Sequence, residues 1–175
     1  MSEPISTRNL DRYGNAELPW SRPRDVLAAD TPGVDLTFFV GTVRPDGRPH
    51  SAGVGAIWVD GDFYFETGAT TRKGRNLARD PRCTLSVAAD EFDLVVEGVA
   101  TKVTDPTTVA AMAQRWAAGG WPARVDETGT ALTAEFSAPS AGPPPWSVYR
   151  LTPHRATALS TIESGGATRW EFATT

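Results

Sequence analysis

At 175 residues and 18.7 kDa, the chain is long enough for one domain with its own core and too short for two ordinary ones. Its 40% hydrophobic and 22% charged residues are an ordinary globular composition, which excludes an acidic disordered tail or a fibrous repeat. Lys and Arg total 17 against 21 Asp and Glu, a net charge of −4, so there is no bulk electrostatic case for a nucleic-acid partner.

Residues 1–20 are polar without a sustained period and read as an N-terminal arm, leaving 21–175 as a single domain. Ser21-Arg22-Pro23 opens a short helix through Val26 and Leu27, with Ser21 as N-cap and proline in the first turn. Residues 35–43, starting at Asp35, are rich in β-branched and aromatic side chains and end at Asp46-Gly47, a hairpin turn. Residues 51–59 form a second strand that ends at Asp60-Gly61, and 62–67 a third, together an antiparallel meander. Residues 70–79 read as a short helix stopped by Asp80-Pro81. Strands follow at 83–87 and 93–104, the latter with Gly98 marking a bulge or bend. Asp105-Pro106 caps and starts a helix in which Val109, Met112, Ala113 and Trp116 share one face, and Gly119-Gly120 ends it. A loop over 121–145 closes with three prolines, and strands at 146–151, 155–161 and 167–172 complete the chain. About eight strands at even spacing with short helices predict a mainly β fold closed as a barrel.

The lone Cys83 has no intrachain disulfide partner, and the first residues carry neither a basic nor an apolar leader segment. No apolar run approaches the roughly 18–20 residues of a membrane helix, so a cytoplasmic protein is expected. P-loop, Rossmann and nucleophile-elbow motifs are absent. His50 and His154 are far apart with no second cysteine, so no metal site is expected. No catalytic side chain declares itself, which shifts the chemistry towards a bound organic cofactor. Thr70-Thr71-Arg72-Lys73-Gly74-Arg75-Asn76-Leu77 follows a strand and opens a helix, where free N–H groups and three cations favour a phosphate. The same residues also suit a solvated basic turn. Gly53 and Gly55 in the second strand mark close approach of a flat ligand or a barrel corner, and the two signals together favour a ligand. Trp58, Trp116 and Trp146 read as packing residues, Cys83 as a buried small hydrophobe, and Glu97 as a paired structural carboxylate or a dimer contact, the structural role being favoured.

Gly47-x-Pro49, the small-residue strand after it, Phe63-Tyr64-Phe65-x-Thr67 and Thr71-Arg72-Lys73-x-x-x-Leu77 resemble the pyridoxamine 5′-phosphate oxidase-like flavin-binding split-barrel superfamily. The resemblance covers residues 35–104 and, more loosely, 146–172. The run from Arg72 to Arg82, Val95-Val96-Glu97-Gly98 and the ending from Ala167 to Phe172 are similar to the actinobacterial deazaflavin (F420)-dependent reductase branch. The resemblance implies a split β-barrel homodimer with cofactor sites across the interface. It implies that Arg72 and Lys73 bind the cofactor phosphate, with Thr71 in place of the usual serine and Asn76 as a neutral donor. Ala52, Gly53 and Val54 would line the ring, with Thr67 nearby. Arg169 matches an arginine that contacts substrate phosphate in the oxidase, and Trp170 and Glu171 share its strand by the substrate pocket. Ala52, Ile57 and Glu171 stand where the oxidase carries arginine, lysine and histidine, which argues against vitamin-B6 oxidation. The implied function is an oxidoreductase passing a hydride from reduced F420 to an electron-poor C=C or C=N bond of a small organic substrate. The alternatives are an FMN-dependent oxidase or reductase of the same fold and a non-catalytic F420 carrier.

Overall fold

The computed structural model describes residues 3–30, 36–163 and 165–173. In chain order these form β1 (Ser6–Asn9), α1 (Ser21–Ala29), β2 (Thr37–Val43), β3 (Pro49–Val54), β4 (Ile57–Val59), β5 (Asp62–Gly68), α2 (Arg72–Arg79), β6 (Arg82–Ala88) and β7 (Phe92–Lys102). They continue with α3 (Pro106–Ala118), β8 (Arg124–Val125), β9 (Leu132–Thr133), a single 3₁₀ turn (Pro139–Ala141), β10 (Trp146–Ser160) and β11 (Ala167–Glu171). The fold is mainly β with three helices. Its antiparallel sheet runs β1-β11-β10-β7-β6-β2-β3, while β4 pairs β5, β5 pairs β10, and β8 and β9 pair each other beside β10. That hydrogen-bonded path is open: β3 bonds β2 and β4 bonds β5.

Alternation builds the sheet. Phe92, Leu94 and Val96 of β7 turn inward with Leu85 and Val87 of β6 and Phe38 and Val40 of β2. Phe63, Phe65, Leu151 and Trp170 complete this interior. The opposite face of β5 carries Tyr64, which joins a second cluster under α3 with Ile57, Leu132, Trp146 and Val148. The α3 stripe of Val109, Met112, Ala113 and Trp116 faces that cluster, and Asp105 caps the helix by accepting from Thr108 N at 2.8 Å.

Both predicted hairpin turns are present, and at Asp60-Gly61 both residues have positive φ, 53° and 104°. Four expectations change. The strand predicted at 51–59 is broken at Gly55-Ala56, so the meander becomes two hairpins in series; the Gly55 carbonyl there accepts from Trp116 Nε1 at 2.9 Å. The closing strands predicted at 146–151 and 155–161 are one strand, β10, bulged at His154 between Pro153 and Arg155. Residues predicted as an arm supply β1 on the sheet edge, and Leu18 and Trp20 enter the core. Ser21 is the first helical residue of α1 rather than its cap, a position held by Trp20 without a side-chain bond. Asp35, the predicted start of the first long strand, lies outside the described residues, as do Met1 and Ser2 of the arm and Thr174 and Thr175 at the domain's end. Among the described residues no helix is long and apolar enough to cross a membrane, and no cluster of three His, Cys, Asp or Glu side chains suits a metal.

Candidate functional site

The junction of β5 and α2 gathers most of the predicted cofactor residues. Thr71 takes an extended conformation and caps α2: its Oγ1 accepts from Gly74 N at 3.0 Å and donates to Gly68 O at 2.8 Å. Thr67 Oγ1 lies 2.8 Å from Thr71 Oγ1. The helix sits hard on the strand end, since a Cβ on Gly74 would fall 2.4 Å from Gly68 O. Arg72 and Arg75 face outward and are exposed.

Lys73 and Asn76 turn inward. Lys73 is 3% exposed and its Nζ donates to Ser140 O at 2.8 Å, from the loop before β10. Burial lowers its pKa, opposed by the charge of Glu66. Asn76, read as a donor to the cofactor, is buried and donates instead to Thr42 Oγ1 of β2 at 2.9 Å. Glu66 is buried, and among the described residues its Oε2 has no hydrogen-bond partner. Burial pushes its carboxyl up to about 7, against the pull of Lys73. On the neighbouring β3, His50 is depressed by burial and then by the charges of Arg44, Lys73 and Arg72, and its Nδ1 lies 3.5 Å from the Thr42 Oγ1 that Asn76 engages. Glu66, His50 and Ser140 are absent from the sequence-predicted set. Alternation along β5 was a usable signal for Glu66, which shares the face of Tyr64. Nothing local marks Ser140, which meets Lys73 across 67 residues of chain.

Beside this junction, β3 offers an exposed face short of side chains. Ala52 and Val54 are half-buried, Gly53 is exposed, and a Cβ on Gly53 would meet nothing within 4 Å. The chain's own packing therefore gives no reason for glycine at 53. A cavity of ≈ 340 Å³ adjoins it, walled by Gly55, Glu66, Trp116, Trp121 and Phe136. Both indole N–H groups are engaged, Trp116 with Gly55 O and Trp121 with Phe136 O at 2.6 Å, so the rings offer the cavity only carbon surface.

The predicted substrate residues lie elsewhere. Trp170 is 0% exposed and packs on Trp20 at a centroid distance of 5.3 Å, so within this chain it is a core residue. Glu171 accepts from Arg155 Nε at 2.9 Å, and Arg155 lies 3.7 Å from Glu97, the pairing expected of that carboxylate. Arg169 is half-buried opposite Thr157 and Arg8, with its Nε buried and, among the described residues, unbonded. Gly68, just before α2, stands opposite Trp146, whereas Arg169 stands opposite Thr157, eleven residues on (146 to 157). At about 3.3 Å per residue that is roughly 35 Å of strand. Within one chain Arg169 and the start of α2 therefore stand beside opposite ends of β10.

Residues 35–160 match the family model described as pyridoxamine 5′-phosphate oxidase. The chain belongs to this family. A pyridoxine/pyridoxamine 5′-phosphate oxidase of Bacteroides thetaiotaomicron is 43% identical over 69 residues, 38% of this chain and 32% of that protein. Its counterpart from Bacteroides fragilis is 32% identical over 134 residues, 67% of this chain and 57% of that protein. The chain thus spans less than three fifths of the length of these two oxidases. The solved structure of an oxidase-related, FMN-binding protein from Nostoc punctiforme aligns with TM-score 0.56 at 18% identity, covering 87% of this chain and 91% of that one, a likeness of fold.

A family cofactor has to suit the residues present. An anionic tail fits the chemistry at the start of α2, where Arg72 and Arg75 are exposed beside Lys73. A flat ring fits the uncluttered face at Gly53. Lys73 fits in kind, but here its ammonium is bonded to the chain itself.

Proposed function

We propose that the chain is an oxidoreductase that uses F420, reducing an electron-poor C=C or C=N bond in a small organic molecule. The observation that carries the reading is the bare face of β3 at Gly53, set beside the cationic start of α2. Arg72, Lys73 and Arg75 would hold an extended anionic tail, whose charge calls for more cationic reach than one compact phosphate. The backbone of Ala52, Gly53 and Val54 would receive the ring, with Thr67 and Thr71 keeping the strand end and helix start in place. When bound and reduced, the cofactor supplies a hydride. The indole rings of Trp116 and Trp121 give the adjoining cavity apolar walls, and Glu66 holds an exchangeable proton near neutral pH beside them. Vitamin-B6 oxidation is disfavoured by Ala52 and Ile57, and by Glu171, which Arg155 already engages.

A second reading places FMN in the same site, and the family assignment favours it. A third is a carrier that binds F420 without turnover. In all three readings the protein is a split-barrel homodimer. The covalent continuity of β3 into β4 would close the barrel, and a second copy would bring Arg169 to the α2 site that its own chain keeps at a distance. Titration with F420 and with FMN, followed by ligand fluorescence, tests the cofactor. Tighter F420 binding supports the first reading, tighter FMN binding selects the second, and binding of neither overturns all three. Bound F420 whose reduced form is not oxidised by enones, quinones or tetrapyrroles selects the carrier. Light scattering that returns an 18.7 kDa particle overturns the dimer.

A further inference from the structure

We propose that residues 139–143 form a built-in cover on the anion site, with the Ser140 carbonyl holding Lys73 until an incoming anion displaces it. The inference rests on the reading of α2 as the anion-binding end of the cofactor site.

A lysine ammonium almost wholly removed from water calls for an anionic partner. Lys73 bonds a neutral backbone carbonyl at 2.8 Å, and among the described residues no carboxylate lies within ion-pairing distance of it, the buried Glu66 acting on it from farther off. A phosphate oxygen in that position would make the stronger, charge-assisted bond, so the carbonyl is an exchangeable occupant.

The cover is closely seated. A Cβ on Gly68 would lie 2.7 Å from Ala141 O and 3.3 Å from Pro143 O, and one on Gly142 would lie 3.0 Å from Thr71 Cγ2. It is also thin. Ala138, Pro139 and Ser140 are exposed, as are Pro143, Pro144 and Pro145, and only Ala141 is buried between them. Besides the lysine contact, it is tied down by Trp146 Nε1 donating to Gly142 O at 2.9 Å and by one bond within the turn, Ala141 N to Ala138 O. Few bonds and little buried surface mark a segment that opens below the cost of global unfolding.

The chain has two lysines, Lys73 and the exposed Lys102, so amine acetylation read by peptide mass spectrometry compares a covered side chain with an internal reference. In the parent protein Lys73 is expected to react at least about tenfold more slowly than Lys102. Gly68→Ala wedges the segment from below and Gly142→Ala strains it at φ +73°, so each should raise the Lys73 rate several-fold and leave Lys102 unchanged. Circular dichroism and thermal unfolding identify a variant that has lost its fold, in which case the other one decides. Stopped-flow mixing with FMN should give an association rate that levels off with FMN concentration in the parent, with a higher plateau in the variants. Equal reactivity of the two lysines in the parent, or an FMN rate that rises linearly and is the same in a folded variant, overturns the cover. Lys73 freed in the variants with no binding of FMN or F420 supports the cover and overturns the cofactor reading.

Discussion

The β6–β7 hairpin and the β5–α2 junction lie in one chain, yet they are assembled by different rules. In β7 burial alternates residue by residue, the inward side chains are apolar, and the partners Leu85 and Val96 or Val87 and Leu94 meet in simple register. At the junction, six of the seven β5 residues are buried, and Thr42, Glu66, Thr67, Lys73, Asn76 and Ser147 bring polar groups out of water together. The hairpin's interior is set by period two alone. The junction is covered by α3 and by a loop that returns 67 residues later, so its polar groups are matched one by one, and Glu66 Oε2 is left over. Apolar burial makes the fold here, while the polar burial concentrates at the candidate site.

Five substitutions test that division, from the largest expected effect to the smallest. Trp170→Ala, on the apolar side, should cost about 3–5 kcal/mol in denaturant unfolding, as expected for a fully buried large aromatic. A cost below 1 kcal/mol would break the comparison at its root. Glu66→Gln tests the polar side through pH. The folded carboxyl ionises near 7 instead of 4.5, so the fold favours its protonated form. The stability it contributes is complete below about pH 4.5 and is lost as pH rises through 7. Urea midpoints should therefore show the Gln variant gaining on the parent at pH 8, by on the order of 3 kcal/mol, and not at pH 4. An equal difference at both pH values would remove the buried carboxyl from the account.

Lys73→Ala should weaken F420 binding by about 1.5–3 kcal/mol in a fluorescence titration, the range of a charge-assisted hydrogen bond. Arg72→Ala should lower it at least as far, and because Arg72 is exposed its loss should shrink as salt rises. Parent-like binding by both variants at low salt would dismiss the anion site. Asp105→Ala removes the α3 cap and should lower Tm by a few degrees without affecting binding, because α3 starts at the end remote from Trp116.

Much of the fold was legible because its signals were local. Asp46-Gly47 and Asp60-Gly61 announced both hairpins, and the spacing of Val109, Met112, Ala113 and Trp116 placed α3 and its buried face. β1 was not legible because all four of its residues are exposed, leaving no alternation to read; it is a strand by virtue of β11's free edge. The break at Gly55-Ala56 was hidden because the glycines pointed equally to a ligand, and what closes the break is the indole of a distant helix. In the candidate site, Thr71 could be placed as the start of a helix from its neighbours. The inward turn of Lys73 could not, since basic residues on a short helix ordinarily face water and its bond to Ser140 spans 67 residues of chain. Trp170 belongs to the core because Trp20, from a segment that reads as polar, supplies its packing.

The bulge at His154 gives chain length a parity in β10. Leu151 and Pro153 point inward before it, and Ala156, Ala158 and Ser160 after it, a switch from odd to even made by one unpaired residue. A chain lacking His154 would keep all five inside and lose the bend at which β10 leaves β5 for β11, together with the Phe172 N–H bond to the His154 carbonyl. A chain lacking Ala158 instead would drive Leu159 into the interior and turn Ser160 out. Among the residues of this strand, His154 is where the protein can shorten by one without turning the sheet inside out.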